Sequence, residues 1–145
     1  MTRKYILLVE DNPDDEALAL RALGKSSLPA DVIVARDGAE ALDKLQSKPE
    51  GGRLPDVVFL DLKLPKLSGI DVLKRLRADP RTVLLPVVVL TSSNEDEDVI
   101  ECYRAGANSY VRKPVDFDQF ASAVAELGRF WLLLSESPQR DGNPR

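Results

Sequence analysis

The sequence predicts a single α/β domain in which a doubly wound parallel sheet of five strands carries helices on both faces. Short apolar runs alternate five times with longer segments whose apolar residues recur at helical spacing. The runs are continuously apolar, which indicates strands buried on both sides, as in parallel sheets. Right-handed crossovers between such strands produce the doubly wound arrangement. A length of 145 residues fits one domain of this kind.

The predicted elements follow one another without a linker that would separate a second domain. The first four strands are rich in Val, Ile or Leu, the short fifth strand contains Tyr110 and Val111, and the helices have apolar faces. Breaks rich in Gly and Pro separate them, as in the segment 48–52. The predicted strands are 6–9, 31–35, 55–61, 86–90 and 109–112, and the predicted helices are 14–25, 38–47, one around 70–76, 94–105 and 116–134.

The first helix has a well-marked start. Asn12 supplies a capping side chain, and Pro13 suits the first turn. The carboxylates of Asp14 and Asp15 interact favourably with the positive end of the helix dipole. We therefore interpret Asp14 and Asp15 as helix-start residues and not as part of a functional site.

The end of the chain differs in composition from the rest. Residues 135–145 contain Pro138, Gly142 and Pro144 and few apolar side chains, so we expect a domain over 1–134 and a disordered tail over 135–145. A tail of about 11 residues is too short to form an output domain.

Composition excludes several classes of function. The sequence contains no histidine, which excludes Ser–His catalysis and histidine-ligated metals. Its single cysteine, Cys102, cannot close an intramolecular disulfide. A formal net charge of −4 disfavours nucleic-acid binding. No apolar run suits a membrane span, and the start of the chain does not resemble a secretory signal, so we expect a cytoplasmic protein.

Polar side chains occur where four of the predicted strands end. Glu10 and Asp11 follow the first strand, Asp61 ends the third, Thr91 follows the fourth, and Lys113 follows the fifth. Parallel strands bring these ends to one edge of the sheet, where such folds bind ligands. Converging carboxylates repel each other unless a cation such as Mg²⁺ joins them. Together with a lysine and a hydroxyl, they predict a site for a phosphoryl group with a carboxylate nucleophile.

Each of these residues alone also has an ordinary structural explanation. A single Asp at a strand end is far more often a cap or a turn former than a nucleophile, by about 10:1. Lys113 alone would be a surface lysine, and Thr91 alone a strand residue. Their joint occurrence at four strand ends favours the functional interpretation.

Ordered motifs make a family resemblance specific over residues 4–130. The acid pair Glu10-Asp11, the segments PDVVFLD and DLKLPKLSG around Asp61, VVVLTSS with Thr91, and AGANSYVRKP with Lys113 occur in that order. The spacings are 91 − 61 = 30 and 113 − 91 = 22 residues. In these features the chain resembles the receiver domain of two-component response regulators, which implies a flavodoxin-like sheet of order 2-1-3-4-5.

The resemblance implies a role for each matching residue. Asp61 would accept a phosphoryl group from a sensor histidine kinase. Asp11, Asp61 and the backbone carbonyl of Lys63 would bind Mg²⁺, with Glu10 assisting through water. The chain departs from many receivers by having Glu10 where they have aspartate, but glutamate is also common there.

Further roles concern the change of conformation that the resemblance implies. Thr91 and Lys113 would hold the phosphoryl oxygens, and Tyr110 would move inward as Thr91 shifts, altering the surface of the fourth helix, fifth strand and fifth helix. The Lys113-Pro114 bond would be cis.

The end of the last helix suggests a narrower relationship. KPVDFDQF and GRFWLLL resemble the stand-alone regulators that partner bacterial phytochrome kinases. Residues 130–134 are apolar on every side of the helix, and packing against the core buries only one face. We therefore expect a homodimer through Phe130, Trp131 and Leu134. The alternative is that Trp131 packs back on the core.

Other functions remain open from the sequence. An aspartate-nucleophile phosphatase needs a second acid two residues after the nucleophile, and Lys63 stands there. A flavin- or nucleotide-binding domain needs a Gly-rich phosphate loop, and neither GxGxxG nor GxxxxGK occurs. A structural dimer module with a vestigial acidic site is the remaining alternative, against which the complete residue set argues.

Overall fold

The computed structural model describes residues 4–25, 30–47, 52–91, 96–113, 117–134, 139–140 and 143–144. Its centre is a five-stranded parallel sheet with the order β2-β1-β3-β4-β5. The predicted fold class and strand order are therefore confirmed. The strands are β1 (Lys4–Val9), β2 (Ala30–Ala35), β3 (Val57–Leu60), β4 (Val87–Thr91) and β5 (Ser109–Arg112).

The first four helices connect successive strands of the sheet and the fifth follows its last strand; all end close to where the sequence predicts. They are α1 (Pro13–Lys25), α2 (Gly38–Leu42), α3 (Gly69–Ala78), α4 (Asp96–Arg104) and α5 (Phe117–Arg129). Two of them continue with wider π-helical turns, α2 over Asp43–Ser47 and α5 over Phe130–Leu134. None of the helices within the described residues has both the length and the apolar character that a bilayer crossing requires.

Side chains that accept from the first turn fix the start of three helices. The Asn12 side chain accepts from the backbone N–H groups of Asp14 (2.8 Å) and Asp15 (3.2 Å), so the predicted helix start is confirmed. Asp37 caps α2 by accepting from the Glu40 N–H at 2.7 Å, and Ser68 caps α3. These caps place each helix start close to the edge at which the strands end.

Two apolar layers enclose the sheet, one on each face. Leu7 and Val9 of β1 point to the layer that includes Val72 and Leu73 of α3 and the buried Cys102 of α4. Burial, followed by the charges of Asp98 and Glu101, raises the pKa of the Cys102 thiol to about 11. Ile6 and Leu8 point to the opposite layer with α1 and α5. Successive side chains of a strand face opposite layers, and both layers are apolar. This explains why a strand such as β1 is continuously apolar in the sequence.

The end of the chain contains one short feature within the described residues. Gln139–Arg140 pairs with Asn143–Pro144 as a two-stranded antiparallel ladder. Most of the predicted tail lies outside the described residues, so the boundary at residue 134 and the disorder beyond it stay predictions.

Arg77 joins two loops at the edge of the sheet opposite the strand ends that carry the acids. Its guanidinium donates to the carbonyls of Thr82, Leu85 and Gly106 at 2.8–3.2 Å, as well as to the Asn108 side chain at 3.0 Å. Gly106 has a φ of +107°, and a Cβ there would lie 2.7 Å from Arg77. The guanidinium therefore satisfies carbonyl groups of both the loop before β4 and the turn before β5.

We expect Arg77→Met to lower the free energy of unfolding by about 2–3 kcal/mol, because several carbonyl acceptors lose a charged donor. Arg75→Met, an exposed position on the same helix, is the control and should change stability by less than about 0.5 kcal/mol. Urea denaturation followed by circular dichroism measures both. Equal stability of the two variants would show that the loops hold without this guanidinium.

Candidate functional site

The backbone of the sheet places the polar residues that follow the strands. The Glu10 N–H donates to the Ala35 carbonyl (2.9 Å), and the Asp61 N–H donates to the Val9 carbonyl (3.0 Å). The Lys113 N–H donates to the carbonyl of Thr91 at 2.7 Å. Each bond extends the parallel ladder past the strand, so the ladder itself fixes where these side chains begin.

Three carboxylates converge at this edge. Oxygen atoms of Glu10, Asp11 and Asp61 all lie within 4.8 Å of one another. Glu10 and Asp61 are 3% and 8% exposed, whereas Asp11 is exposed. The predicted meeting of residues from β1 and β3 is therefore found in the structure, and it puts negative charge where water screens it poorly.

Lys113 is the cation that faces these carboxylates. Its Nζ lies 2.5 Å from Glu10 Oε1, 2.9 Å from Asp15 Oδ2 and 3.6 Å from Asp61 Oδ2. The Lys113 side chain is 11% exposed. The first two contacts are charge-assisted hydrogen bonds, whereas the third is an ion pair beyond hydrogen-bond distance.

The pKa values of the pair reflect this arrangement. Burial, and to a smaller extent the charge of Asp61, raises the pKa of Glu10 to about 7 although its hydrogen bond with Lys113 acts in the opposite direction. Burial alone would lower the pKa of Lys113, but the hydrogen bonds to Glu10 and Asp15 outweigh it and raise that pKa. Lys113 is thus held as the ammonium ion, while the carboxylates are not fully compensated by it.

The donor set fits a divalent cation such as Mg²⁺. Carboxylate oxygens are its preferred protein ligands, and a second positive group would favour the ionised form of Glu10, whose pKa is raised by burial and, to a smaller extent, by the charge of Asp61. Lys63, whose carbonyl the family resemblance implies as a further ligand, is an exposed residue of the loop after Asp61. Its part in metal binding stays a prediction.

Gly69 keeps the loop after β3 closed against Asp61. Its N–H donates to the Leu62 carbonyl at 2.7 Å, and a Cβ at this position would lie 2.3 Å from the Asp61 carbonyl oxygen. Any side chain would therefore displace the backbone of Asp61. This explains in physical terms why the DLKLPKLSG segment ends in glycine.

The residues predicted to respond to a phosphoryl group lie on neighbouring strands. Thr91 ends β4 and is fully buried, and it pairs in register with Arg112 of β5. Tyr110 of β5 is half-buried and packs against the apolar layer that contains α3 and α4. Their movement on phosphorylation stays a prediction, and Pro114, with the predicted cis bond, lies outside the described residues.

Asp15 is a site residue that the sequence reasoning missed. It does lie in the first turn of α1, as expected, but its side chain also accepts a hydrogen bond from Lys113 at 2.9 Å. The two residues are 98 positions apart, so no local pattern indicates the contact. The usable signal was that α1 begins two residues after Asp11, which puts its first turn beside the strand ends.

The apolar end of α5 is divided between core and surface. Leu132 is fully buried and its carbonyl accepts from the Lys4 ammonium, whereas Phe130 is 47% exposed. Trp131 is half-buried, packs against the layer with α1, and meets Phe130 edge to face at 5.0 Å. The side chain of Leu134 lies outside the described residues. The alternative in which Trp131 packs on the core gains support, and the dimer interface stays a prediction.

Comparison with known proteins finds relatives that are response regulators. Response regulator Rcp1 of Synechocystis sp. is 37% identical over 131 residues, covering 89% of each chain. A crystal structure of its Mn²⁺-bound form superimposes with a TM-score of 0.85 at 36% identity, covering 94% of this chain and 99% of that one.

Two further solved structures extend the comparison. The phosphorylated cyanobacterial phytochrome response regulator RcpA has a TM-score of 0.87 at 36% identity, covering 95% of this chain and 100% of its own. The bacteriophytochrome response regulator AtBRR is 48% identical with a TM-score of 0.73, covering 94% and 100%. The sequence profile of the response regulator receiver domain matches residues 6–125. With its sheet order, its acidic edge and its buried lysine, the chain belongs to the response regulator receiver domain family.

Proposed function

We propose that this protein is a phosphorylation-dependent switch whose phosphoryl acceptor is Asp61. The observation that carries the proposal is the position of the Asp61 carboxylate, 8% exposed at the end of β3, between two other carboxylates and the Lys113 ammonium. A carboxylate nucleophile, a place for a divalent cation and a fixed ammonium are the parts that phosphoryl transfer to an aspartate needs.

The proposed donor is the phosphohistidine of a sensor kinase, and it must lie on another protein because this chain contains no histidine. An Asp61 oxygen forms a bond to phosphorus while the P–N bond of phosphohistidine breaks. The electron pair of that bond stays on the imidazole nitrogen, which takes up a proton. When bound, Mg²⁺ supplies positive charge for the phosphoryl oxygens. Lys113, held as the ammonium ion 3.6 Å from Asp61, stabilises the same negative charge from the other side.

The change of conformation passes from the site to the surface of α4, β5 and α5. We infer that the Thr91 hydroxyl binds the new phosphoryl group and that Tyr110 fills the space this movement leaves. The exposed side chains of Ile100 (51%) and Tyr103 (49%) lie one helical turn apart on α4. This apolar stripe supports α4 as the part of the surface that a partner reads.

The proposed kinase is of the phytochrome type, and the protein acts in the cytoplasm. RcpA, a cyanobacterial phytochrome response regulator, and AtBRR, a bacteriophytochrome response regulator, match this chain over 94–95% of its length. The formal net charge of −4 supports signalling by protein contact or by onward phosphoryl transfer rather than direct nucleic-acid binding. The chain would catalyse only its own phosphorylation and dephosphorylation.

We also propose that two copies associate through the end of α5. Phe130 is the supporting observation, since nearly half of a large aromatic side chain stays in water next to the half-buried Trp131. Burying such a side chain in a dimer would remove its apolar surface from solvent.

Asp61→Asn should abolish phosphoryl incorporation from acetyl phosphate in the presence of Mg²⁺, because an amide oxygen cannot act as the nucleophile. Intact-protein mass spectrometry measures the adduct, and Asp71→Asn on α3 is the control, which should incorporate as much as the wild type. The thermal midpoint of Asp61→Asn without metal should not fall, since one of three converging charges is removed. Labelling of Asp61→Asn at the wild-type level would refute the acceptor assignment.

Asp11→Asn should weaken Mg²⁺ binding by about tenfold or more, because a metal-binding carboxylate is lost while the exposed position leaves the core untouched. Isothermal titration calorimetry gives the affinity. Asp14→Asn is the matched control: it removes the same charge three residues away and should bind Mg²⁺ with nearly wild-type affinity. Similar affinities for both variants would place the metal elsewhere.

Phe130→Ala should lower the weight-average mass at concentrations where the wild type is dimeric, as measured by sedimentation equilibrium. It is a sharper test than Trp131→Ala, because Trp131 also packs on the core. Leu84→Ala, which trims a side chain that is 66% exposed in the loop before β4, serves as the control. An unchanged mass for Phe130→Ala would argue against this interface.

A further inference from the structure

Lys113 is anchored from two different elements. Its ammonium group has three protons, and the two short contacts go to Glu10 (2.5 Å), directly after β1, and to Asp15 (2.9 Å), in the first turn of α1. The third carboxylate oxygen near the ammonium is Asp61 Oδ2, 3.6 Å from Nζ. Both anchors therefore leave one N–H free to face the carboxylate that takes the phosphoryl group.

We propose that Asp15 is a positioning residue for phosphorylation: it holds the Lys113 ammonium so that its remaining N–H faces the phosphoryl oxygens on Asp61. This inference rests on the proposed phosphorylation of Asp61. Glu10 alone would fix one point of a flexible four-carbon side chain, whereas two acceptors fix the direction of the ammonium. Asp15 acts on the reaction through Lys113 and does not touch the reacting atoms.

The backbone of Asp15 is itself well fixed. Its N–H donates to the side chain of Asn12 at 3.2 Å, in the capped first turn of α1. The carboxylate of Asp15 is 34% exposed, whereas the side chain of Lys113 is 11% exposed. Asp15 is thus the more exposed of the two carboxylates that hold the ammonium, and Glu10 is the more deeply buried one.

Asp15 is separate from the residues that bind the metal. The converging cluster consists of Glu10, Asp11 and Asp61, and Asp15 is not one of its members. A change at Asp15 is therefore expected to act on binding of a phosphoryl group and not on binding of Mg²⁺. This difference distinguishes a positioning role from a general effect of charge.

The test compares the wild type with Asp15→Asn and Asp14→Asn in the full chain. Both variants remove one carboxylate from the first turn of α1, so they change the net charge equally and the charge near the helix dipole similarly. Affinity for beryllium trifluoride, a mimic of the phosphoryl group, is measured at saturating Mg²⁺ by calorimetry, and Mg²⁺ affinity is measured alone. Asp61→Asn reports background binding.

We expect Asp15→Asn to weaken beryllium trifluoride binding by about fivefold relative to Asp14→Asn, less than for a fully buried charged hydrogen bond because Asp15 is partly exposed. Mg²⁺ affinity should stay within about twofold of the wild type in both variants, and Asp15→Glu should restore part of the loss. Equal or tighter beryllium trifluoride binding by Asp15→Asn would overturn the positioning role, as would a parallel loss of Mg²⁺ affinity. Failure of the wild type to bind the mimic would instead overturn the proposed function on which this inference rests.

Discussion

The site depends on the ion pair between Lys113 and the carboxylates at the ends of β1 and β3. Glu10 is 3% exposed and lies near Asp11 and Asp61, so without a cation these charges would repel each other in a poorly screened environment. The Lys113 ammonium, 2.5 Å from Glu10, offsets part of that repulsion. Three carboxylates near one ammonium leave negative charge that this lysine does not compensate, and a divalent cation suits that donor set.

At the same edge of the sheet, backbone contacts determine the position of Asp61. Asp61 takes its place from the bond between its N–H and the Val9 carbonyl on one side and from the approach of Gly69 on the other. Neither interaction involves the carboxylate itself. The scaffold of parallel strands thus determines where the side chains of the site begin.

Much of the fold could be predicted from local patterns. Continuous apolar runs indicate strands that are buried on both faces of a sheet, and capping residues mark where helices begin. The pairing of strands and their shared edge also brought Glu10, Asp61 and Lys113 together as predicted. The sequence could not show which of several possible partners a side chain contacts. Asp15 is explained by its place in the first turn of a helix. Neither its spacing nor the composition around it indicates that it also contacts Lys113. Leu132 is buried within a wider π-helical turn, which no periodicity of the sequence indicated.

The position of Lys113 explains why one residue can serve both the resting and the phosphorylated protein. Its contacts with Glu10 and Asp15 outweigh the effect of burial and raise its pKa, so the ammonium form persists. A phosphoryl group on Asp61 would carry more negative charge than the carboxylate it replaces, and the ammonium 3.6 Å away would then gain a stronger partner without leaving its two anchors. Because Lys113 directly follows β5, and its N–H is bonded to the Thr91 carbonyl at 2.7 Å, that new attraction acts on the two strands that carry Thr91 and Tyr110. Charge at the site and packing on β4 and β5 are therefore physically connected through the lysine.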